Sequence, residues 1–104
     1  MRKYRVNITE PAENDLRGIV RYISSQLQAP ITALTMMRAI EEAIAVLETT
    51  PNIHPLVRDD RLKSIGYRSL RVKNYIVFYI VDEKEKVVDI DRILFSRRDW
   101  QNIL

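Results

Sequence analysis

Two adjacent arginines, Arg97 and Arg98, follow an apolar run near the end of the chain and precede its only tryptophan, Trp100. Guanidinium groups bind phosphates through paired hydrogen bonds, and an aromatic face can stack on an unpaired base. Such cations can also stabilise the charge that develops on phosphorus during RNA cleavage without a metal. This segment is therefore the first candidate anion site, with the tryptophan either contacting a target or closing the end of a sheet.

Further cationic and aromatic side chains lie upstream of this segment. Residues 58–73 carry six Lys/Arg and two Asp/Glu, a local charge of +4 in a chain whose net charge is +3. A surface of this charge attracts a polyanion or an acidic protein, and it is equally compatible with an ordinary solvated face. For the tyrosines, packing within a strand is the simpler interpretation. The candidates added here are Arg68, Arg71, Lys73, Tyr75 and Tyr79.

Other kinds of catalytic site find little support. The chain has no cysteine and two glycines, which excludes thiolate chemistry and glycine-rich phosphate loops. Its only histidine, His54, lies between two prolines and is interpreted as a loop residue. Asp89 and Asp91 fall on one face of a strand, where pairing with Arg or Lys of neighbouring strands is favoured over acid–base catalysis. We therefore expect no metal and no other cofactor.

Length and composition indicate one small globular domain over residues 1–104. Hydrophobic residues make up 46% and charged residues 30% of the chain, an ordinary balance for a folded domain. No apolar run approaches the roughly 20 residues that span a bilayer. The N-terminal segment also lacks the apolar core of a signal peptide. We expect a cytoplasmic protein that makes no membrane contact.

The first half of the chain predicts a strand followed by two helices. Residues 4–9 alternate between apolar and polar side chains, as in a half-buried strand. Thr9 or Glu10 can cap the first helix, and Pro11 suits its first turn. The apolar stripe predicted for this helix consists of Ala12, Leu16, Ile19, Val20, Ile23 and Leu27.

The second helix is predicted to begin at Pro30 and to end near Thr49. Because a short connection separates the two amphipathic helices, they are expected to form an antiparallel hairpin with one shared apolar side. Such a hairpin needs a flat apolar surface to cover. The stripe predicted for the second helix is Leu34, Met37, Ile40, Ile44 and Leu47, with Ala33 and Ala43 beside it.

The second half predicts a polar loop, residues 51–66, and then three strands near 67–73, 75–81 and 87–95. The middle strand is apolar on both faces, which indicates a central position in the sheet. A charged loop without glycine follows it, so this hairpin loop should be longer than two residues. The predicted fold class is α+β, with the order β-α-α-β-β-β and a mostly antiparallel sheet.

In this architecture the helical hairpin packs on one face of the sheet, and the opposite face is expected to be bare. Arg71 and Lys73 would be displayed on that bare face, because they alternate with apolar residues along their strand. The Arg97–Arg98 pair would stand at the end of the last strand. The cations would then share one exposed surface.

The order of these elements resembles the RelE/ParE superfamily of bacterial toxins from type II toxin–antitoxin systems, over nearly the whole chain. The segment "NYIVFYIVD" is similar to that family's Y-R-V-x-Y-x-V-D strand, and "RILFSRRDW" is similar to its terminal I-x-H-x-R-D segment. The resemblance implies a toxin that arrests bacterial growth and is held inactive by a cognate antitoxin in a hetero-oligomer. Some members cleave messenger RNA at the ribosome, and others poison DNA gyrase.

For the nuclease branch, the resemblance implies basic residues at Arg71 and Lys73 and an arginine after the last strand, which is Arg97 or Arg98 here. These would be the catalytic residues of a metal-independent endoribonuclease. The pattern of the nuclease branch differs from this sequence in two respects. It has an arginine where this chain has Tyr75, and it commonly ends in a tyrosine or histidine that serves as acid or base.

After Arg98 the only ionisable side chain is that of Asp99, a weak base at an ordinary pKa of ~3.9. The gyrase-directed branch needs a binding surface instead, and it resembles this chain in its long helical hairpin, about residues 10–49. The resemblance therefore favours gyrase inhibition through the hairpin and the C-terminal segment, with ribosome-dependent RNA cleavage as the alternative and a chain without toxicity as the third. Further candidate contacts with a target or nucleic acid are Arg68, Tyr75 and Trp100.

The charge distribution indicates the character of the antitoxin. Residues 1–50 hold six Lys/Arg and six Asp/Glu, whereas residues 51–104 hold eleven and eight, so the whole positive excess lies in the second half. A basic, partly apolar surface favours an acidic partner that is partly disordered and folds on binding. The expected partners are thus the cognate antitoxin and either DNA gyrase or the ribosome with its message.

Overall fold

A computed structural model describes residues 3–104, so the first two residues of the predicted domain lie outside the described part. Four strands form one mixed sheet in the order β1-β4-β3-β2, with β1 parallel to β4 and the other neighbours antiparallel. This confirms the predicted α+β class and the central position of the third strand. The elements are β1 (Arg5–Ile8), α1 (Glu10–Arg21) with a π-helical turn (Tyr22–Gln26), α2 (Pro30–Val46), α3 (Asp60–Ile65), β2 (Tyr67–Val72), β3 (Tyr75–Asp82), β4 (Val87–Phe95) and α4 (Trp100–Ile103).

Helices α1 and α2 pack on one face of the sheet, as the two apolar stripes predicted. Thr9 caps α1 by accepting a hydrogen bond from the Ala12 amide. Two predicted stripe residues, Leu27 and Leu34, are nevertheless exposed. Leu27 follows the π-helical turn, which changes the helical phase, and Leu34 lies beside the line that faces the sheet. That line consists of Ala33, Met36, Ile40 and Ile44.

The opposite face of the sheet is covered, so the prediction of a bare face is wrong. A second apolar core lies there under α3, α4 and the loop before α3. Helix α3 falls inside the predicted loop 51–66 and was missed because six residues are too few to show a helical period. Its ends carry ordinary signals, since Asp59 accepts a hydrogen bond from the Leu62 amide and Gly66 closes the helix at a φ of 107°. The second core is built from Val57, Leu62, Tyr67, Phe78 and Leu94.

Strand β4 carries a bulge at Asp91, where the pairing with β3 shifts by one residue. The Asp91 carboxylate accepts a hydrogen bond from the Tyr67 hydroxyl at 2.5 Å, and the Asp89 carboxylate accepts one from the side-chain amide of Asn7 at 2.8 Å. Neither aspartate forms an ion pair with an Arg or Lys among residues 3–104, so the predicted pairing is wrong within this described range. Burial, followed by the bond to Asp91, raises the pKa of Tyr67 to about 12. Both carboxylates act as structural acceptors.

Beyond the end of β1, side chains at the start and in the middle of α1 form the hydrogen bonds to the backbone of β4 that a neighbouring strand would otherwise form. Strand β1 ends opposite Ile90, and Thr9 then donates a hydrogen bond to the Ile90 carbonyl at 2.8 Å. Further along, the Asp15 carboxylate accepts a bond from the Ile93 amide at 2.9 Å. The same carboxylate pairs with the Arg92 guanidinium at 2.7 and 2.9 Å, and its side chain is 13% exposed. One acidic side chain thus fastens the helical hairpin to the sheet.

Replacement of Asp15 by alanine is expected to lower the free energy of unfolding by about 2–3 kcal/mol, because it leaves a half-buried guanidinium and a strand amide without their acceptor. Asp15→Asn keeps an acceptor for the amide and should cost about 1 kcal/mol. The matched control is Glu13→Ala, which removes an exposed ion pair with Arg17 and an acidic charge from the first turn of α1 and should cost less than about 1 kcal/mol. Urea denaturation measures all three, and equal losses for Asp15→Ala and Glu13→Ala would contradict the assigned role.

Candidate functional site at the end of the sheet

The pairing of β2, β3 and β4 gathers most of the predicted site residues at one end of the sheet. A two-residue turn joins β2 to β3, and the Ser96 amide donates a hydrogen bond to the Asn74 carbonyl in that turn at 2.8 Å. Tyr75 pairs with Phe95, the last residue of β4. The predicted residues that lie at this end are Arg71, Lys73, Tyr75, Arg97 and Arg98.

The four predicted catalytic cations do not point to one place. Arg71 pairs with Ile76 and so shares the face of the second core, and its Nε donates to the Lys73 carbonyl at 3.0 Å. Lys73 lies in the turn at a φ of 54°, outside the strand in which it was predicted. Arg97 is exposed in the segment after β4, whereas Arg98 faces the side of the sheet that carries α1. The structure brings them to one end but not into one cluster.

A cleft of about 490 Å³ opens between α1 and the end of the β3–β4 pair. Two of its aromatic rings, those of Tyr75 and Phe95, are in tilted contact with centroids 5.7 Å apart. Burial, followed by the nearby Tyr22, raises the pKa of the Tyr75 phenol. We call this the aromatic cleft, and its walls include Asn14, Gly18, Tyr22, Tyr75, Phe95 and Arg98.

Arg68 and Trp100, two further predicted contact residues, have partners within the fold. The Arg68 guanidinium donates to the His54 carbonyl at 2.6 Å and holds the preceding loop against β2. The Trp100 ring packs on Phe78 in the second core, with centroids 5.2 Å apart. The Arg61 guanidinium donates to the Gln101 carbonyl at 2.7 Å and secures α4. The observed contacts are structural, and a role of Arg68 or Trp100 in target binding stays a prediction.

Sequence reasoning missed the contribution of α1 to the cleft. Asn14, Gly18 and Tyr22 are spaced by four residues, which places them along one side of the helix. That spacing was visible, but all three residues are separated from the end of β4 by more than seventy positions. The one signal available was the glycine, which is unfavourable in the middle of a helix.

The described residues contain neither a metal-binding group of side chains nor a membrane-spanning helix, two further features that would indicate a function. Among residues 3–104, no group of three or more His, Asp or Glu side chains is placed to hold a metal ion. None of the helices in this described range combines the length and the apolar character needed to cross a membrane.

A family model for the ParE toxin of type II toxin–antitoxin systems, parDE, matches residues 6–100. The chain belongs to the ParE toxin family. This confirms the resemblance that the strand and terminal segments indicated, and it identifies the protein as a toxin of a type II toxin–antitoxin system. No curated protein matches the chain.

Three solved structures share the fold of this toxin. The chromosomal ParDE toxin–antitoxin system from P. aeruginosa aligns with a TM-score of 0.76 at 21% identity. The alignment covers 91% of this chain and 98% of the matched chain. The RelBE2 toxin–antitoxin complex from Mycobacterium tuberculosis has a TM-score of 0.62 at 22% identity, covering 89% and 98%. A double mutant of the E. coli toxin RelE in the free state has a TM-score of 0.65 at 14% identity, covering 98% and 99%.

The packing of Trp100 predicts that its main contribution is to stability. Trp100→Ala should lower the free energy of unfolding by about 2 kcal/mol because it uncovers Phe78, whereas Trp100→Phe should cost less than about 1.5 kcal/mol. The exposed Arg97→Ala variant should change stability by no more than about 0.5 kcal/mol. Chemical denaturation gives these values. Full stability of Trp100→Ala together with lost toxicity would instead favour a direct contact with the target.

Proposed function

We propose that this toxin arrests bacterial growth by inhibiting DNA gyrase in the cytoplasm and that a cognate antitoxin neutralises it. The observation that carries the proposal is the match of residues 6–100 to the ParE toxin model, which extends over most of the chain. The P. aeruginosa ParDE system, whose fold this chain shares, also supports it. Inhibition of this kind requires a binding surface and no catalytic group.

The distribution of the cations favours gyrase over RNA as the target. Stabilising the charge on a phosphoryl group requires donors aimed at one position. Here Arg71 lies on the second-core face and Arg98 lies in the aromatic cleft, on opposite sides of the sheet. The Asp99 carboxylate accepts a hydrogen bond from the side-chain amide of Asn102 at 2.6 Å, so the one ionisable side chain after the arginines is engaged. The second candidate function, ribosome-dependent RNA cleavage, draws support from the gathering of cations at one end of the sheet.

The tip of the helical hairpin is the surface we propose for contact with gyrase. Three large apolar side chains there, those of Leu27, Ile31 and Leu34, are exposed within eight residues of one another, and Ile31 is 81% exposed. An exposed apolar group of this kind is typical of a protein-binding surface. The C-terminal segment, the other proposed contact, has Trp100 and Ile103 packed on the second core, which leaves the hairpin tip as the more accessible surface.

Purified toxin is expected to abolish supercoiling by gyrase, and Ile31→Asp should weaken this inhibition at least about tenfold by placing a charge in the contact. The matched control is Ile53→Asp, which makes the same change at a side chain that is 64% exposed in the loop before α3. That variant should inhibit as well as the unaltered toxin. Normal supercoiling at saturating unaltered toxin would end the gyrase proposal.

Message integrity in induced cells decides between the two candidate functions. If gyrase is the target, supercoiling is lost within minutes while messenger RNA stays intact. Early message cleavage, abolished by Arg98→Ala without loss of folding, would assign the toxin to RNA instead. The absence of arrest in both measurements would assign this chain to the third possibility, a toxin fold without toxicity.

Co-expression with the neighbouring small gene is expected to relieve growth arrest and to yield a more soluble complex. The physical reason is that an acidic, partly disordered antitoxin would cover exposed apolar surface and neutralise the basic second half of the toxin. Growth rate and co-purification measure this outcome. Arrest that persists in the presence of each adjacent small gene would count against a cognate antitoxin encoded beside the toxin.

A further inference from the structure

Gly18 occupies a position in α1 where the fold does not require glycine. It lies in the middle of the helix, where glycine is less favourable than alanine because it loses more backbone freedom on folding. A Cβ atom built on Gly18 meets no heavy atom within 4 Å, so close packing against another element does not explain the residue. What the missing side chain leaves is open space in the aromatic cleft.

The cleft has the size and lining of a ligand site. Its volume of about 490 Å³ lies within the range of roughly 300–1,000 Å³ typical of small-molecule sites. Tyr22 is 52% exposed and Phe95 is 39% exposed, so two rings present much of their surface to solvent instead of to the core. Tyr22 also begins the π-helical turn, a distortion that is frequent at functional sites.

The polar groups of the cleft favour an anion. Within residues 3–104 the side chains of Arg98, Tyr22 and Tyr75 form none of the observed hydrogen bonds, so their donors are available. Asp15 is the acidic side chain of the cleft wall, and its carboxylate is already paired with Arg92 and the Ile93 amide. Flat apolar rings next to a guanidinium suit a base and its phosphate.

We propose that the aromatic cleft binds one unpaired base of a single-stranded nucleic acid, stacked against its aromatic rings, with an adjoining phosphate on Arg98. Exposed cations continue beyond the cleft at the same end of the sheet, at Arg97 and Lys73, where they can follow a nucleic-acid backbone. A free mononucleotide would leave these cations unused. This site goes beyond the proposed gyrase inhibition and does not depend on it.

An extended peptide is a less suitable occupant of the cleft. A peptide that adds to a sheet needs free amides and carbonyls along a strand edge. At this edge of β4 the Ile93 amide already donates to Asp15, which closes the edge to strand addition. A peptide could therefore bind only through its side chains, whereas a base needs no strand edge.

The test is fluorescence anisotropy with the full chain and a labelled single-stranded DNA of about 12 nucleotides, within the ~4–16 nucleotides covered by single-strand-binding folds. Gly18→Leu, which fills the cleft, and Tyr22→Ala, which removes one ring, should each weaken binding about tenfold. Arg98→Ala should weaken binding and lower the salt dependence by about one phosphate contact. Its matched control is Arg58→Ala, which removes the same charge from a groove on the opposite face and should leave affinity nearly unchanged.

Thermal unfolding is measured for each variant as a control for folding. Gly18→Leu is expected to unfold at no lower temperature than the unaltered chain because leucine is the better helix former.

Unchanged DNA binding by both Gly18→Leu and Tyr22→Ala would overturn the proposal. Equal losses of affinity for Arg98→Ala and Arg58→Ala would also overturn it, because they would indicate attraction by net charge alone. If AMP competes as effectively as the unlabelled strand, the cleft binds a mononucleotide, and the proposal of a single-stranded nucleic acid is wrong. Loss of antitoxin binding by Gly18→Leu with unchanged DNA binding would make the cleft a protein site. Because gyrase is absent, failure here is distinct from failure of the gyrase proposal.

Discussion

The carboxylate of Asp15 joins the helical layer of this toxin to the sheet by hydrogen bonds, in addition to the apolar core between the two layers. Strand β1 is four residues long, so the rest of the β4 edge has no neighbouring strand and its polar groups need other partners. Asp15 accepts from the Ile93 amide and from Arg92, and it does so from the middle of α1. The aromatic cleft has α1 as one wall and the end of the β3–β4 pair as the other. Its width therefore depends on this attachment.

A second constraint is that β3 is apolar on both faces and must be covered twice. The helical hairpin covers one face, and α3 with α4 covers the other. Trp100 is used in this second cover, where it packs on Phe78. Two of the surfaces that stay accessible are the hairpin tip, with its exposed isoleucine Ile31, and the cationic end of the sheet. One suits a protein target and the other an anion, which is why the proposals for gyrase and for a nucleic-acid strand fall on different parts of the molecule.

The sequence predicted those elements whose own pattern is long enough to be read. Thr9 and Pro11 marked the start of α1, and the two-sided apolar run of β3 marked a central strand, and the structure confirms both. Helix α3 was missed because its six residues contain less than two turns. The same two-sided run was also evidence against a bare sheet face, since an apolar face exposed to water would be unfavourable.

The sequence by itself determined the four strands, the two long helices, their order and the resemblance to the RelE/ParE toxins, because these depend on local periodicity, capping residues and short motifs; the short helices α3 and α4 were not predicted. Only the tertiary structure decided which candidate residues share a site. Strand pairing places Arg71 beside Ile76 on the second-core face, and the segment after β4 places Arg98 against α1 on the other. Gly18 and Phe95 line the same cleft although they are far apart in the chain. Strand order and register fix such contacts, and neither is encoded in any single stretch of residues.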